Sequence, residues 1–434
     1  MKKVLIITYY WPPSGGAGVQ RWVKFVKYFR LYGIEPIVLT VDSDYASYAI
    51  LDTSLTKDVL EGIKVFKTKS IEPFRLYKKL NKKKEIPYGG FVNEHNPNFI
   101  QNISRFVRGN LFIPDARIGW NRYAYSKAVK LIKEYNIKTI ITTSPPHSTQ
   151  LIGLKLKKQF GLHWIADLRD PWIDIYYYKQ LYHSFLAKKI DSRLEVEVLK
   201  KTDKIVVVSK SIKKLFASKI NPEISNKINV ISNGFDAEDF KDKGKLKGKE
   251  FIITYTGTLA DNYHIETFLD VFESFLSKLD RPKIKLEFVG KVSLNYKALI
   301  ENSEFAKHCS FIPYVEHSAS LGFLLKSTAL LLVIPDMPLN EGILTGKLFE
   351  YLAAKKPIIG IGPINGDAAS IINECNAGRM FSYDNKHGII KYLDILYTNW
   401  LNSRKENFNS KQINKYSREK LTEKLAMLIP QSTF

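Results

Sequence analysis

A chain of 434 residues with 45% hydrophobic and 13% aromatic content is too long for one ordinary α/β domain and suits two of about 200 residues each, which excludes a largely disordered protein. Its two cysteines, Cys309 and Cys375, exclude a disulfide scaffold or a cysteine metal clip and fit a reducing cytoplasm. The formal net charge of +23 either calls for an anionic partner or reflects compositional bias, with lysines accompanying many Asn and Ile residues on a solvated surface.

The opening MKKVLIITYYWPP has the basic tip and short apolar run of a signal peptide. Tyr9, Tyr10 and two prolines stand where small residues would be cleaved, so it reads as a first buried strand. Further strands are expected at residues 36–41, 63–68, 139–144, 164–168, 205–209 and 228–232, after the first at 3–8. Amphipathic helices such as 19–32, 123–135 and 148–160 separate several of them. The polar stretch DAEDFKDKGKLKGKE from Asp236 has the composition of a linker. Alternation restarts with FIITYTG from Phe251 and continues with strands at 284–289, 330–334, 357–361 and 379–382. ALLLVIP from Ala329 is strand length, and no apolar run approaches the roughly 20 residues of a membrane helix. The last pattern, residues 416–428, is an amphipathic helix with no strand after it.

The fold class expected is α/β, two Rossmann-like doubly wound domains facing an inter-domain cleft. The expected division is an N-terminal domain over 1–240, a linker at 241–250, a C-terminal domain over 251–410 and a terminal helix within 411–434 that is free to pack back on either domain, the N-terminal one being the expected choice. Ligands of such sheets bind at the C-terminal ends of the strands, so the site is expected where those ends face the cleft.

Four segments carry candidate chemistry. In PPSGGAGVQ, residues 12–20, Gly15, Gly16 and Gly18 allow close backbone approach at a helix start that favours an anion; a purely structural tight turn reads equally well. TTSPPHSTQ places His147 where a buried strand ends, either reaching a sugar hydroxyl or capping the next helix together with Ser148. ADLRDPW ends another strand in Arg169 and Asp170, which either orient a hydroxyl or phosphate or pair with each other. The fourth, NEGILTGKLFEYLAAKKPIIGIG from Asn340, predicts a helix starting at Thr345 or Gly346 and ending before Pro357, with Leu348, Phe349, Leu352 and Ala353 facing the core. Lys347 and Glu350 then share the other face. Backbone N–H groups at the helix start with Lys347 suit a diphosphate and Glu350 suits ribose hydroxyls, against the alternative of a plain Lys347–Glu350 surface pair.

TGKLFEYLAAKKPII resembles the nucleotide-sugar site of glycosyltransferase family 4, whose fold is called GT-B. VISNGFDAEDF from Val230 and YTGTLADN from Tyr255 resemble two further landmarks of that family. SPPHS, ADLRDPW and FIPDARIGW from Phe112 resemble a sub-branch found in bacterial surface-polysaccharide gene clusters. The resemblance implies that Glu350 holds the donor ribose, that Gly15 and Gly16 form a glycine-rich acceptor and phosphate loop, and that His147 lies near a sugar-contacting histidine. Catalytic roles accordingly fall to His147 and Asp170. Donor binding falls to Gly15, Gly16, Gly257, Thr345, Gly346, Lys347 and Glu350.

Two departures matter. The family separates its paired glutamates by seven residues, whereas Glu341 and Glu350 have eight between them, which counts against Glu341 as a sugar contact; Arg169 is set aside with it. Members commonly carry Arg and Lys after the glycine of the first C-domain strand, but TLADNYHIE follows Gly257, leaving Lys347 as the replacement cation. The implied reaction is retaining hexosyl transfer with no metal and no cofactor, the nucleotide sugar being a co-substrate. Its acceptor would be a cell-surface glycan or lipid-linked intermediate at the cytoplasmic membrane face. RLYKKLNKKK from Arg75 and FIQNISRFVRGNLFI from Phe99 are candidates for an anionic membrane surface, the latter reading also as an ordinary helix covering the N-domain sheet. The alternatives are a nucleotide-sugar epimerase of the same architecture and a basic nucleic-acid-binding protein, the latter without a recognisable reading module; no nucleic acid is expected as partner.

Overall fold

The computed structural model describes residues 1–48, 50–72, 99–241, 250–278, 283–404 and 407–431. The chain divides into two units, Met1–Ser232 with Arg418–Phe434, and Asn233–Ser417.

In the first unit the strands are β1 (Lys2–Ile7), β2 (Ile34–Val41), β3 (Lys64–Thr68), β4 (Thr139–Ser144), β5 (His163–Leu168), β6 (Lys204–Val207) and β7 (Ile228–Val230). They form a parallel sheet in the order β3-β2-β1-β4-β5-β6-β7, with Lys2 opposite Ile34 and Val4 opposite Thr139. Val4, Leu5, Ile6 and Ile7 are all fully buried. Both faces of such a strand are covered, so its sequence is a continuous apolar run rather than an alternation. Helices α1 (Ala17–Phe29), α2 (Phe99–Leu111), α3 (Asn121–Tyr135), α4 (Ser148–Phe160), α5 (Phe185–Lys201) and α6 (Lys210–Ala217) accompany the sheet. One core joins Trp120, Leu131, Trp164 and Trp172, and the other joins Trp22, Phe25 and Val38. The order reverses between β1 and β4, the topological switch point at which open parallel sheets receive ligands.

The second unit repeats the plan with β8 (Phe251–Thr256), β9 (Ile284–Val289), β10 (Cys309–Ile312), β11 (Ala329–Val333), β12 (Ile358–Ile361) and β13 (Gly378–Phe381). Their order is β10-β9-β8-β11-β12-β13, again parallel, with the reversal between β8 and β11. Its helices are α7 (Glu266–Ser277), α8 (Leu294–Glu301), α9 (His317–Lys326), α10 (Gly346–Ala354), α11 (Asp367–Glu374) and α12 (Lys386–Leu401). Edge strand β10 was not among the expected strands. Its four residues are all half-buried, so they carry neither an apolar run nor an alternation.

The division at Ser232 lies ahead of the expected boundary at residue 240. Phe235 donates its N–H to the Tyr416 carbonyl (3.1 Å) and packs with Leu330 and Phe349, which ties the segment after β7 to the second unit. Most of the expected linker, residues 242–249, lies outside the described residues. The terminal helix α13 (Arg418–Ala426) belongs to the first unit, where Leu421, Leu425 and Ile429 pack beside Trp22 and Phe25. Among the described residues no helix is long and apolar enough to cross a membrane.

Candidate functional site

In the second unit an irregular stretch leads from β11 to α10. Asn340 fixes it by donating from Nδ2 to the Pro335 carbonyl (3.1 Å) and to Tyr383 Oη (3.0 Å), while Tyr383 Oη donates to the Ile334 carbonyl (2.8 Å). Thr345 is the N-cap in extended conformation, but its hydroxyl caps nothing and its Oγ1 is buried without a hydrogen-bond partner. The first-turn N–H groups of α10 are therefore left without a side-chain cap, the arrangement that receives an anion. Leu348, Phe349, Tyr351, Leu352 and Ala354 face the core. Ala353 packs half-buried against the same core, and Tyr351 is buried in addition to the expected residues because its Oη accepts from the Thr256 N–H (3.1 Å) and donates to the Leu331 carbonyl (3.3 Å), pinning α10 to β8 and β11.

Lys347 and Glu350 turn to different partners. Lys347 Nζ donates to Tyr255 Oη, lies 4.0 Å from the Tyr255 ring centroid and reaches the Thr258 carbonyl at 3.4 Å. Gly257 makes this reach possible. It holds φ +95°, and a Cβ there would stand 2.7 Å from Lys347 Cε. Loss of water from the ammonium pulls the Lys347 pKa down to about 7, the charge of Glu350 working the other way. Glu350 instead holds His317, with Nε2 3.0 Å from Oε1, so the plain Lys347–Glu350 surface pair does not form. Glu341 sits exposed on the 3-10 turn Asn340–Gly342.

In the first unit Gly15 donates its N–H to the Ile50 carbonyl (3.0 Å), and Gly16, at φ +104°, is the N-cap of α1. A Cβ on Gly18 would stand 1.9 Å from Arg169 Nη1, so the start of α1 lies directly on that guanidinium. Arg169 donates from Nε to the Ser144 carbonyl (3.0 Å) and from Nη2 to that of Pro145 (3.3 Å). Its carboxylate neighbour is Asp167, at 4.0 Å, not the Asp170 of the expected pair. Behind it Asp167 accepts from Arg21 (3.0 Å), Trp22 (2.9 Å) and Thr143 (2.8 Å), all buried.

His147 is the N-cap residue of α4, yet its side chain makes no capping bond. The ring stacks on Trp172 with centroids 4.7 Å apart, and Nδ1 is buried without a partner. Burial, aided by the charges of Arg169 and Lys219, lowers its pKa to about 3, so the imidazole is neutral at physiological pH. Capping is done by Asp115, which accepts from the Ser148 N–H (2.7 Å) and hydroxyl (2.8 Å). Asp170 is half-buried, and desolvation raises its pKa against the pull of Arg169. The sequence reading missed His317, Asp115 and Asp191; the last holds the Trp172 indole N–H (2.8 Å) and the Tyr178 hydroxyl (2.9 Å). FIPDARIGW was a signal for Asp115, whereas no local pattern marks the other two.

No curated protein matches the chain significantly. Among solved structures it is similar to sucrose-phosphate synthase from Thermosynechococcus elongatus, with TM-score 0.62 and 13% identity over 99% of this chain and 98% of that one. It is similar to HepE of Anabaena in complex with UDP, with TM-score 0.61 and 13% identity over 98% and 99% of the two chains. The lipopolysaccharide outer core galactosyltransferase WaaB gives TM-score 0.57 and 13% identity over 99% of both. These likenesses show the GT-B fold. A family model described as Glycosyltransferase Family 4 matches residues 89–239, and one described as Glycosyl transferases group 1 matches residues 236–416. Two Rossmann-like units matched from residue 89 to residue 416 make the assignment plain: the chain belongs to the GT-B glycosyltransferases of family 4.

Proposed function

We propose that the protein moves a hexosyl group from a nucleotide sugar to a lipid-linked cell-surface glycan intermediate, retaining the donor's anomeric configuration and using no metal. The observation that carries the donor half is the start of α10, where uncapped N–H groups, Lys347 and Glu350 come together. The diphosphate lies at Thr345, Gly346 and Lys347, the ribose hydroxyls meet Glu350, and Gly257 keeps the β8 turn open. As the glycosidic bond breaks, negative charge grows on the leaving diphosphate. Fixed N–H dipoles and the Lys347 ammonium stabilise that charge without reorganising, which makes them the main catalytic contribution. The first unit takes the acceptor, with Gly15 and Gly16 at its loop. His147 and Asp170 are the candidate catalytic groups there, and Arg169 and Glu341 have no assigned substrate contact. The family match does not favour the epimerase alternative.

A thermal-shift panel of UDP, GDP, ADP, dTDP and CMP sugars on the wild type and on Glu350→Ala tests the donor site. UDP sugars come first because the HepE structure is a UDP complex. Stabilisation by one nucleotide class, lost in the variant, is expected through linkage. Equal stabilisation of Glu350→Ala rejects the site. Turnover unchanged by EDTA, and a product whose anomeric configuration by NMR matches the donor's, are the results expected for the chemistry.

The location we assign is the inner face of the cytoplasmic membrane, as a peripheral protein. In support, α2 leaves Phe99, Ile103, Phe106 and Leu111 exposed along one stripe. The basic segment 75–84 lies outside the described residues.

A further inference from the structure

Glu350 is the group assigned to the ribose, yet a glutamate has three rotors to freeze before it can accept two hydroxyls in a fixed geometry. In this structure something already holds it. His317, the first residue of α9, sets Nε2 3.0 Å from Glu350 Oε1, and both side chains are about one-quarter exposed or less. An ionised carboxylate only accepts, so Nε2 carries the proton and donates it. The distance between the two helices is fixed beneath this bond. Leu321 and Leu324 of α9 are buried in the same cluster as Leu348, Phe349 and Leu352 of α10. One lone pair of Oε1 is thereby taken, leaving its second lone pair and both of Oε2 for a ligand.

We propose that His317 is a positioning residue that presets the Glu350 carboxylate for the ribose hydroxyls of the donor. The inference rests on the donor-site reading above. Without the imidazole, Glu350 samples other rotamers, and binding must select one of them. The effect reaches the ligand only through its two ribose hydroxyls. A structural role for His317 would instead weaken every nucleotide alike, whether or not it carries those hydroxyls.

The test is calorimetric titration of UDP, GDP and ADP, and of their 2′,3′-dideoxy forms, into the full-length chain and its variants. His317→Leu is expected to weaken the nucleotide that binds by about three- to ten-fold, the cost of immobilising one rotamer-rich side chain on binding, and its dideoxy form by less than about two-fold. His317→Gln, whose amide can donate in place of Nε2, recovers most of the loss. In the Glu350→Gln background, His317→Leu adds no further loss. Equal weakening of the ribo and dideoxy forms, or no weakening while Glu350→Gln does weaken binding, overturns the role of His317 and leaves the donor site standing. Binding by Glu350→Gln indistinguishable from wild type, or no binding of any nucleotide to the wild type, overturns the donor site and this inference with it.

Discussion

Lys347 meets two opposing demands. Held against Tyr255 with little water, its ammonium is costly in the free protein, and the pKa falls to about 7 from an ordinary value near 10.5. A diphosphate beside Nζ reverses this by stabilising the charged form. Above pH 7 the free protein holds Lys347 mostly neutral and the complex holds it charged, so donor binding takes up a proton. The dissociation constant of a nucleotide sugar is therefore expected to rise between pH 7 and 9, by up to about ten-fold per unit. Lys347→Met should bind weakly and show no such slope; titrations in buffers of different ionisation enthalpy would count the proton. His147 gives a stability prediction of definite sign. Its folded pKa of about 3 lies below the ordinary 6.5, so the unfolded chain binds the extra proton between those values. Its contribution is fully present above pH 6.5 and is lost as the pH falls, at up to about 1.4 kcal/mol per unit. His147→Phe should flatten that part of the acid limb, read as the difference in Tm between pH 7.5 and pH 5.

At the scale of elements, the helices that hold the sites are placed by cores that can be disturbed separately. Leu425 of α13 packs in the cluster of Trp22 and Phe25, within the unit Met1–Ser232 and Arg418–Phe434, whereas α10 lies in the unit Asn233–Ser417. Leu425→Ala should cost the first unit about 2–4 kcal/mol through the cavity it leaves, and should leave nucleotide affinity unchanged. Calorimetric unfolding and nucleotide titration of one sample would check both. The same elements mark what the sequence could reveal. The buried strands and the start of α10 were legible because apolar runs, Thr345 with Gly346, and Pro357 are local signals. β10 was not, since its half-buried residues show no period. Lys347 and Glu350 were legible as a pair on one face. Their actual partners, Tyr255 and His317, are 92 and 33 residues away and are brought in by helix packing and a strand turn that no spacing encodes. His147 read from sequence as either a sugar contact or a helix cap, and the stacking of its ring on Trp172 with Asp115 as the cap of Ser148 is what sets the capping alternative aside.

For the molecule as a whole, the charge of +23 leaves open what it attracts, and the first unit narrows the choice. Asn110 near the end of α2 donates from Nδ2 to the Tyr182 carbonyl (3.1 Å) and accepts at Oδ1 from the Ser184 N–H (2.7 Å), which brings the start of α5 beside α2. Phe185 and Leu186 on the first turn of α5 are 82% and 65% exposed, and Lys188 and Lys189 beside them are exposed as well. Exposed apolar groups next to cations suit a lipid interface, where the rings enter the acyl boundary and the ammonium groups meet anionic headgroups. The two contributions respond differently to salt. The electrostatic part is screened as the Debye length falls from about 10 Å at 0.1 M to about 3 Å at 1 M, while the apolar part remains. Flotation with phosphatidylglycerol vesicles should therefore show binding that weakens with salt without vanishing. The double variant Phe185→Asp and Leu186→Asp should reduce the bound fraction at least about ten-fold at every salt concentration, since each buried large side chain contributes about 1.5–3 kcal/mol. Its nucleotide affinity should be unchanged, because both positions lie in the unit that does not contain α10. Absence of wild-type binding at any salt would remove the membrane from the proposal, and the positive charge would then be left to the phosphates of donor and acceptor or to a solvated surface.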